Sequence, residues 1–536
     1  MAFQDHPNAW MRADRVYENG SQLTTRFFGL QLLESAVKFR WGTIPEPQQH
    51  ALRTYIVRQI VGIAGNEASF ADRSMRTLLG KLNGVLVEIV KRDWPQKWPN
   101  FIPEILESSD SSETLCENNM RILTMLSEDV FDFSEDSMLA HRVKELKGAL
   151  NEQFIQIFKL CDAVLGKTQR PSLLVQTLDT LQNYMTWIPV VYIMETQMLT
   201  SLCTKYLPSA DFRVPTLRCL TEVAALSDPK YNEVFLQLFG QALQMGDEAA
   251  EQFVYFYGLF LTSFFRHHLA LVENPATRDA LAMGMGHLVS MTSVHEDAEL
   301  FRVCLEFWQW FAQDLHNAEI VSLASAPTLP TSTGAATGSG GLGGGLSVLG
   351  GVSSSMGLGG SSLGLGGSSL GGGGLGGAAA LQAPAAPSST AASRKALYGD
   401  VLSRLRTLLI EHMVRPEEVL VEETESGKIV HSTVTSEEAL GLHHNLKETL
   451  VYLTHLDKDS MLGILVDKLA RVMDGSAWSY ENLNKLCWGV GAITRTLEVK
   501  EEKRFLVKLI TDLLELVKLK RTADEQAVVA SNIMYV

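Results

Sequence analysis

The sequence predicts an all-α protein in which antiparallel helix pairs stack one on another, and three observations support this fold class. From Ala9 to His316 the chain is a succession of amphipathic segments, each roughly 12 to 22 residues long and separated by short breaks. The segments come in pairs that recur roughly every 40 to 47 residues. No convincing run of alternating apolar and polar residues interrupts them, so a parallel sheet has nothing to be built from. The combination predicts a HEAT-repeat α-solenoid, a curved superhelix with one extended core.

The helices of this first block can be bounded because their apolar residues follow the 3.6-residue period of an α-helix. The clearest predicted helices are Leu23–Arg40, Gln48–Ala64, Ser74–Arg92, Thr114–Val130, Val143–Leu165, Leu173–Trp187, Met194–Leu207, Thr216–Leu226, Asn232–Gln244 and Glu299–Leu315. They indicate that residues 1–324 form the N-terminal HEAT repeats.

The composition changes abruptly between Ser325 and Ser393, where Gly, Ser, Ala and isolated Leu residues dominate. Such a tract cannot bury enough apolar surface to offset the entropy lost on ordering it, so residues 325–393 are predicted to be a disordered insertion. Helical character returns at Lys395–Val414 and continues to the end. We therefore expect the tract to interrupt one stack of repeats, which resumes over residues 394–536.

One pair of strands is predicted within this helical pattern, directly after Arg415-Pro416. Val419–Glu422 and Lys428–Val434 are rich in β-branched residues, and Gly427 supplies the turn between them. A two-stranded ribbon is marginally stable alone, so we expect it to lean on the stack or on a partner. Its negative charge comes from Glu417, Glu418, Glu422, Glu423 and Glu425. A solvated acidic loop over residues 416–435 is the alternative.

The last stretch of the chain, residues 503–536, predicts a groove. Leu506, Leu509, Leu513 and Leu516 fall on one side of a helix, and Ile510, Leu514 and Val517 form a second stripe beside them. The two stripes together span about 200°, twice the roughly 100° that packing against one neighbour requires. We expect another helix or an apolar peptide to cover the surplus.

The overall charge excludes some partners. The formal net charge of −15 and a pI near 5.4 argue against direct contact with nucleic acid, whose phosphates the chain would repel. A basic protein partner fits better. The six cysteines lie far apart without C-x-x-C spacing, which is typical of buried thiols in a reducing compartment. With neither a signal-peptide pattern nor a long apolar run, we expect a soluble, intracellular chain without membrane contact.

The sequence matches known catalytic and metal-binding motifs only weakly. Two G-x-S-x-G matches fall at 360–364 and 367–371, inside the glycine-rich tract, where such matches arise by chance. The adjacent pairs His267-His268 and His443-His444 point about 100° apart on a helix and cannot chelate one metal, so we interpret them as core or surface histidines. We expect no catalytic residue, cofactor or metal. The protein is predicted to bind partners and not to be an enzyme.

Eight collinear blocks of the sequence carry a resemblance to a known family. They are LTTRFFGLQLLESAVKFRW (23–41), KRDWPQKWPNFIPEI (91–105), LCENNMRILTMLSEDVFDF (115–133), RPEEVLVEE (415–423), ETLVYLTHLD (448–457), NLNKLCWGVGAI (482–493), EEKRFLVKLI (501–510) and ASNIMYV (530–536). Together they resemble the exportin-1 family of nuclear export receptors in the importin-β (karyopherin-β) superfamily. The resemblance covers nearly the whole chain except the glycine-rich tract.

The resemblance implies a receptor that binds cargo proteins carrying leucine-rich export signals together with the GTPase Ran in its GTP form. Such a receptor shuttles between nucleus and cytoplasm, contacts nuclear pore proteins at the nuclear envelope, and is expected to act as a monomer. By position, Ile510, Leu514 and Val517 would line the cargo groove, and Ala530, Ile533 and Met534 would form part of its floor. The acidic hairpin, through Glu422, Glu423 and Glu425, would contact Ran.

The sequence also departs from the family pattern. Many members carry a cysteine, the target of alkylating export inhibitors, at the position of Val517, so we expect resistance to such inhibitors. Ala523 and Gln526 replace two lysines that flank the groove, which predicts weaker attraction for acidic export signals. Compared with full-length family members, the sequence covers an incomplete first repeat and stops at Val536 within the groove. We therefore expect a partial chain that binds Ran weakly and cargo negligibly by itself.

A different HEAT-repeat scaffold remains the alternative function. A karyopherin that carries folded cargo, or a phosphatase-type scaffold, would share the same helical pattern. Dependence of binding on the nucleotide state of Ran would discriminate between these functions.

Overall fold

The computed structural model describes residues 9–131, 140–185, 189–246, 250–293, 298–325, 391–415, 419–423, 429–433, 437–520 and 522–536. The G-x-S-x-G matches, most of the predicted insertion and the predicted hairpin turn lie outside these ranges. Among the described helices, none combines the length and apolar character needed to cross a membrane.

Helices dominate the described residues, which confirms the predicted all-α class. In the first part of the chain they are α1 (Ala13–Asn19), α2 (Leu23–Arg40), α3 (Glu46–Ala64), α4 (Glu67–Ala71), α5 (Arg73–Asp93), α6 (Phe101–Ser109), α7 (Glu113–Phe131), α8 (Ala140–Lys167), α9 (Pro171–Met185), α10 (Val190–Met194), α11 (Met198–Ser201), α12 (Arg213–Ala224), α13 (Asn232–Leu243), α14 (Glu251–Val272), α15 (Arg278–Thr292) and α16 (Ala298–Ser325). After the glycine-rich tract they are α17 (Ala391–Leu397), α18 (Gly399–Glu411), α19 (Glu437–Leu456), α20 (Lys458–Met473), α21 (Tyr480–Ile493), α22 (Val499–Leu519) and α23 (Ala523–Tyr535).

The described chain divides into two compact units. The first comprises Met1–Ala312 and Asp400–Val536, so helices from before and after the glycine-rich tract share it. The second is Gln313–Gly399, of which only residues 313–325 and 391–399 are described. There an ion pair of 3.0 Å between Arg394 and Asp314 joins α17 to the end of α16. A longer pair of 3.6 Å links Lys395 to Glu319 in the same unit.

Within the first unit, helices that are two or three apart in the chain pack side by side. Helices α2, α5, α7, α9, α12 and α14 form one such series, and each packs against the next. Helices α19, α21 and α23 form a second series, with α20 packed against α19 and α21, and α22 packed against α23. The helices of these two series therefore bury faces against more than one neighbouring helix, as stacked repeats require.

Several of these helices begin at side-chain caps that the sequence provides. Asp457 accepts a hydrogen bond from the backbone N–H of Ser460 at 3.0 Å at the start of α20, and Ser479 accepts one at 3.0 Å from Asn482 at the start of α21. Such caps satisfy backbone donors that have no partner within the helix, each at a gain of about 1 kcal/mol.

One predicted helix, Met194–Leu207, is wrong as a single element. Helix α10 ends at Met194, a turn follows, and α11 then passes into a π-helical segment at Leu202–Tyr206. In the turn the hydroxyl of Thr196 accepts a hydrogen bond from the backbone N–H of Met198 at 3.4 Å. This local bond competes with continuation of the helix, which the apolar spacing alone does not reveal.

The boundaries around the glycine-rich tract also differ from the prediction. Ser325 belongs to α16, and residues 391–393 belong to α17, so both ends of the predicted disordered segment are helical. The predicted helix Lys395–Val414 is divided between α17 and α18 at Tyr398. Gly399 begins the second helix, and the low helix propensity of glycine explains a break at this point.

The two strands are β1 (Val419–Glu423) and β2 (Ile429–Thr433). They pair antiparallel, with a register that runs from Val419 opposite Thr433 to Glu423 opposite Ile429. They lie between α18 and α19 in the chain, at the position where the β-branched residues predicted them.

Candidate functional site

The candidate site is built on α22, whose stability comes from packing. No side chain caps its first turn, although Glu501 and Glu502 there and Lys518 in its last turn have signs that suit the helix dipole. Its sequence separates apolar from charged residues strongly, so one face can be buried while the other meets solvent.

The stripe predicted to be buried faces the protein interior. Leu509, Leu513 and Leu516 expose 2% or less of their surfaces, and Leu506 is half-buried. Each fully buried leucine contributes about 1.5–3 kcal/mol through removal of apolar surface from water. These three residues hold α22 onto the stack.

The second stripe remains accessible. Leu514 exposes 49% of its surface, and Ile510 and Val517 are half-buried. Because successive residues of a helix are separated by about 100°, exposure should fall steadily from the outermost residue toward the buried stripe. The observed order, with Leu514 more exposed than its two stripe neighbours, follows this rotation.

Val507 extends the exposed stripe by one turn and was missed in the sequence analysis. It is 67% exposed and lies three residues before Ile510, the spacing that places two side chains on one helix face. The signal was present in the sequence, since Val507, Ile510, Leu514 and Val517 repeat at intervals of three and four.

Helix α23 packs against α22 and is fixed at its start by a capping box. The hydroxyl of Thr522 accepts a hydrogen bond from the backbone N–H of Glu525 at 3.2 Å, and the Glu525 carboxylate accepts the Thr522 N–H at 3.3 Å. The amide of Gln526 donates to the carbonyl of Lys520 at 2.9 Å. Gln526, which stands where the family resemblance implies a lysine, thus ties the two helices together.

The three predicted floor residues on α23 do not belong to its buried side. Val529 and Asn532 are buried, whereas Ala530 is exposed, Ile533 is half-buried and Met534 exposes 81% of its surface. The predicted groove residues of α22 and α23 are thus apolar and accessible on two helices that pack together.

The predicted hairpin residues are described only in part. Glu422 and Glu423 lie on β1, where their backbones pair with Val430 and Ile429. Glu425 lies outside the described residues. The contact of these glutamates with Ran stays a prediction.

The cysteine nearest to α22 in the sequence is not part of the stripe. Cys487 lies on α21 and is fully buried, and burial raises the pKa of its thiol to about 12. At neutral pH this thiol is protonated and poorly nucleophilic.

Sequence comparisons match all the parts of the chain that build this site. A family profile described as Exportin 1-like protein matches residues 75–220, and profiles for CRM1 / Exportin repeats 2 and 3 match residues 394–461 and 474–524. The last of these includes all of α22. Exportin-1 of Schizosaccharomyces pombe is 35% identical over 100% of this chain. The chain belongs to the exportin-1 family. Protein EXPORTIN 1A of Arabidopsis thaliana, 36% identical over 99% of the chain, shows the same relationship.

This member of the exportin-1 family also matches two further profiles. The Importin-beta N-terminal domain matches residues 1–61, and a Chromosome region maintenance or exportin repeat matches residues 279–316. The chain spans 47% of the length of each of the two relatives. Among solved structures, Importin13 in its cytosolic state covers 95% of this chain with a TM-score of 0.56 at 11% identity, over 51% of its own length. This similarity of fold confirms the predicted HEAT-repeat solenoid.

Proposed function

We propose that this chain is the part of a nuclear export receptor that carries one wall of the groove for leucine-rich export signals. The observation that carries the proposal is the accessible apolar stripe of α22, together with membership of the exportin-1 family. A peptide with four or five spaced apolar side chains would bury them against Val507, Ile510, Leu514 and Val517, as in other helix-groove interactions. Ala530, Ile533 and Met534 of α23 would add part of the floor.

The favourable binding free energy of such an interaction can be estimated. Each leucine of a peptide that is fully buried in the groove contributes about 1.5–3 kcal/mol before the cost of ordering the peptide is subtracted. With one wall of the groove, no more than two or three of the four or five side chains would be fully buried, and their contribution does not exceed the cost of association by much. We expect this chain alone, with the stripe of α22 open on one side, to bind cargo negligibly.

We propose that Ran in its GTP form is the second partner. The pair of strands β1 and β2 presents a cluster of glutamates in sequence, which suits a basic surface on a partner. A second support is the match of residues 1–61 to the Importin-beta N-terminal domain, because the contact with Ran would begin at these first repeats in the family.

The remaining properties follow from this function. The chain would act as a monomeric binding protein and not as an enzyme, would shuttle between nucleus and cytoplasm, and would meet nuclear pore proteins at the nuclear envelope. Its net charge of −15 disfavours direct contact with nucleic acid.

A pull-down with Ran tests the Ran part of this function. Residues 1–536 would be immobilised and exposed to Ran locked in its GTP form or loaded with GDP. We expect weak retention of the GTP form and none of the GDP form. Equal retention of both forms, or of neither at high concentration, would count against an export receptor and favour another HEAT-repeat scaffold.

A further inference from the structure

A cleft of about 900 Å³ lies between α19, α21 and α23, apart from the apolar stripe of α22. Its volume is within the range of about 300–1,000 Å³ that is typical of ligand-binding clefts. None of the described residues that line it is an aspartate or glutamate. Its chemistry comes mainly from Arg415, His443, His444, Lys447, Trp488 and Tyr535.

One wall of the cleft is cationic. Lys447 is exposed and its ammonium group has no hydrogen bond or ion pair within the described part of the chain. His443 donates from Nδ1 to the carbonyl of Val414 at 3.1 Å, and burial lowers the pKa of its imidazole, which disfavours the charged form and leaves Nε2 as an acceptor. The imidazole of His444 lies 3.1 Å from the carboxylate of Glu448. The described lining therefore holds two permanent cations, Lys447 and Arg415, and no carboxylate, although acidic residues outnumber basic ones, 61 to 46, in the whole chain.

The facing wall is aromatic and carries amide groups. Trp488 is half-buried, and Tyr535 exposes 40% of its surface while its ring lies against the backbone of Gly491. A methyl group at position 491 would come within 2.8 Å of that ring, so glycine permits the close approach. Asn532 donates to the amide oxygen of Asn484 at 2.6 Å, which fixes these two side chains of the lining relative to each other.

We propose that this cleft binds an acidic segment of a protein partner. A carboxylate of the segment pairs with Lys447, and a neighbouring apolar or aromatic side chain packs on Trp488 and Tyr535. The cleft is open to solvent along its rim, where Leu440 is 37% exposed, so it suits an extended segment better than an enclosed small molecule.

The site goes beyond the proposed function and does not depend on it. On α23 the residues that line the cleft, Val528, Ser531 and Tyr535, fall on the opposite side of the helix from Ala530, Ile533 and Met534 at about 100° per residue. A partner in the cleft would therefore leave the proposed cargo groove free.

Fluorescence anisotropy tests the proposal on residues 1–536. The probe is a labelled 12-residue peptide in which glutamates alternate with leucines around one central phenylalanine. We expect saturable binding that Lys447→Glu weakens by at least about tenfold, because a cation that pairs with the ligand is reversed. Lys159→Glu, the same charge change at an exposed lysine of α8, should alter the affinity less than about twofold. A peptide with glutamines in place of the glutamates should not bind.

Three results would overturn the proposal. Equal losses in the Lys447 and Lys159 variants would mean that binding follows net charge and not the cleft. Full competition by millimolar inorganic phosphate would identify a small-anion site instead of a peptide site. Tighter binding after Glu422→Gln and Glu423→Gln would show that the hairpin of the same chain, and not a partner, occupies the cleft.

Discussion

Leu513 and Leu514 are consecutive on α22 and meet opposite environments, since Leu513 is fully buried while Leu514 exposes 49% of its surface. This contrast defines the helix as one with two apolar stripes, of which only one is needed to hold the fold.

The two leucines should therefore differ in their effect on stability. Leu513→Ala removes buried methyl groups and leaves a cavity, so we expect the free energy of unfolding to fall by about 2–5 kcal/mol. Leu514→Ala should cost less than about 1 kcal/mol, because half of the side chain is already in water. Urea denaturation followed by circular dichroism measures both. Equal losses would mean that Leu514 belongs to the core.

A buried arginine provides a second test in the helices that lead to the site. Arg406 on α18 is 1% exposed, and its guanidinium donates to the carbonyl of Leu453 at 3.2 Å and to the hydroxyl of Ser460 at 3.2 Å. Burial lowers the pKa of this guanidinium, with a smaller opposing effect from Asp457. Arg406→Ala leaves a cavity and a buried acceptor without a donor, so we expect a loss of about 3 kcal/mol or more.

Arg404, two residues earlier on the same helix, is exposed and serves as the matched control. Arg404→Ala should change the stability by no more than about 0.5 kcal/mol. If thermal unfolding responds equally to both substitutions, the bonds of Arg406 contribute little to the packing of α18 on α19 and α20.

The thiols of the native chain should resist alkylation. All six cysteines are buried, and burial raises the pKa of Cys116 to about 11 and that of Cys161 and Cys203 to about 12. Mass spectrometry after brief exposure to N-ethylmaleimide at neutral pH should show no adduct, and six adducts after unfolding in urea. Val517→Cys should add one rapidly formed adduct to the native chain, since that position is half-buried.

The outcome bears directly on the groove. Rapid alkylation of the native chain that lacks the Val517→Cys substitution would contradict the burial of its six thiols. An unreactive Val517→Cys variant would mean that the stripe of α22 is covered.

Acid sensitivity should arise in part at His268. This residue of α14 is 5% exposed and its ring lies 4.0 Å from that of Phe235, and burial, with a smaller effect of His267, lowers its pKa from 6.5 to about 4. The unfolded state therefore binds more protons between pH 6.5 and 4. Stability is full above pH 6.5 and falls as the pH drops toward 4, by up to about 1.4 kcal/mol per pH unit.

His268→Asn removes the titrating ring while keeping an amide donor. Its melting temperature should be lower than that of the parent at pH 7, and the difference should shrink as the pH falls to 4.5. A constant difference across this range would show that His268 does not contribute to the pH dependence.

Local sequence patterns were sufficient for most of the fold and for the stripes of α22. Helix α2 has the predicted bounds, Leu23–Arg40, because its apolar spacing and its flanking breaks are both local signals. Leu513 and Leu514 were assigned to different stripes for the same reason. The break after Met194 was not predicted, because a hydroxyl in the turn, and not a Gly or Pro, interrupts the helix.

The cleft between α19, α21 and α23 could not be predicted from the sequence. Its residues come from positions as distant as Arg415 and Tyr535 and meet only through the stacking of three helices. In the sequence His443 and His444 are an adjacent pair that cannot chelate one metal. Their position beside Lys447 follows from the i+3 and i+4 spacing on α19, whereas their position opposite Trp488 follows from tertiary packing alone.

The most direct test of the export-receptor account is cargo binding with the groove completed. Residues 1–536 would be joined to the sequence that follows the matching segment of Schizosaccharomyces pombe exportin-1, and binding of a labelled leucine-rich peptide would be measured with Ran in its GTP form present. We predict a Kd of about 1–10 μM for this chimera and negligible binding for residues 1–536 alone. Leu514→Asp in the chimera should weaken binding at least about tenfold, whereas Phe39→Asp, at an apolar side chain of α2 that is 81% exposed, should leave it unchanged. Equal peptide affinity in the Leu514→Asp and parent chimeras, or micromolar binding to residues 1–536 alone, would contradict the account.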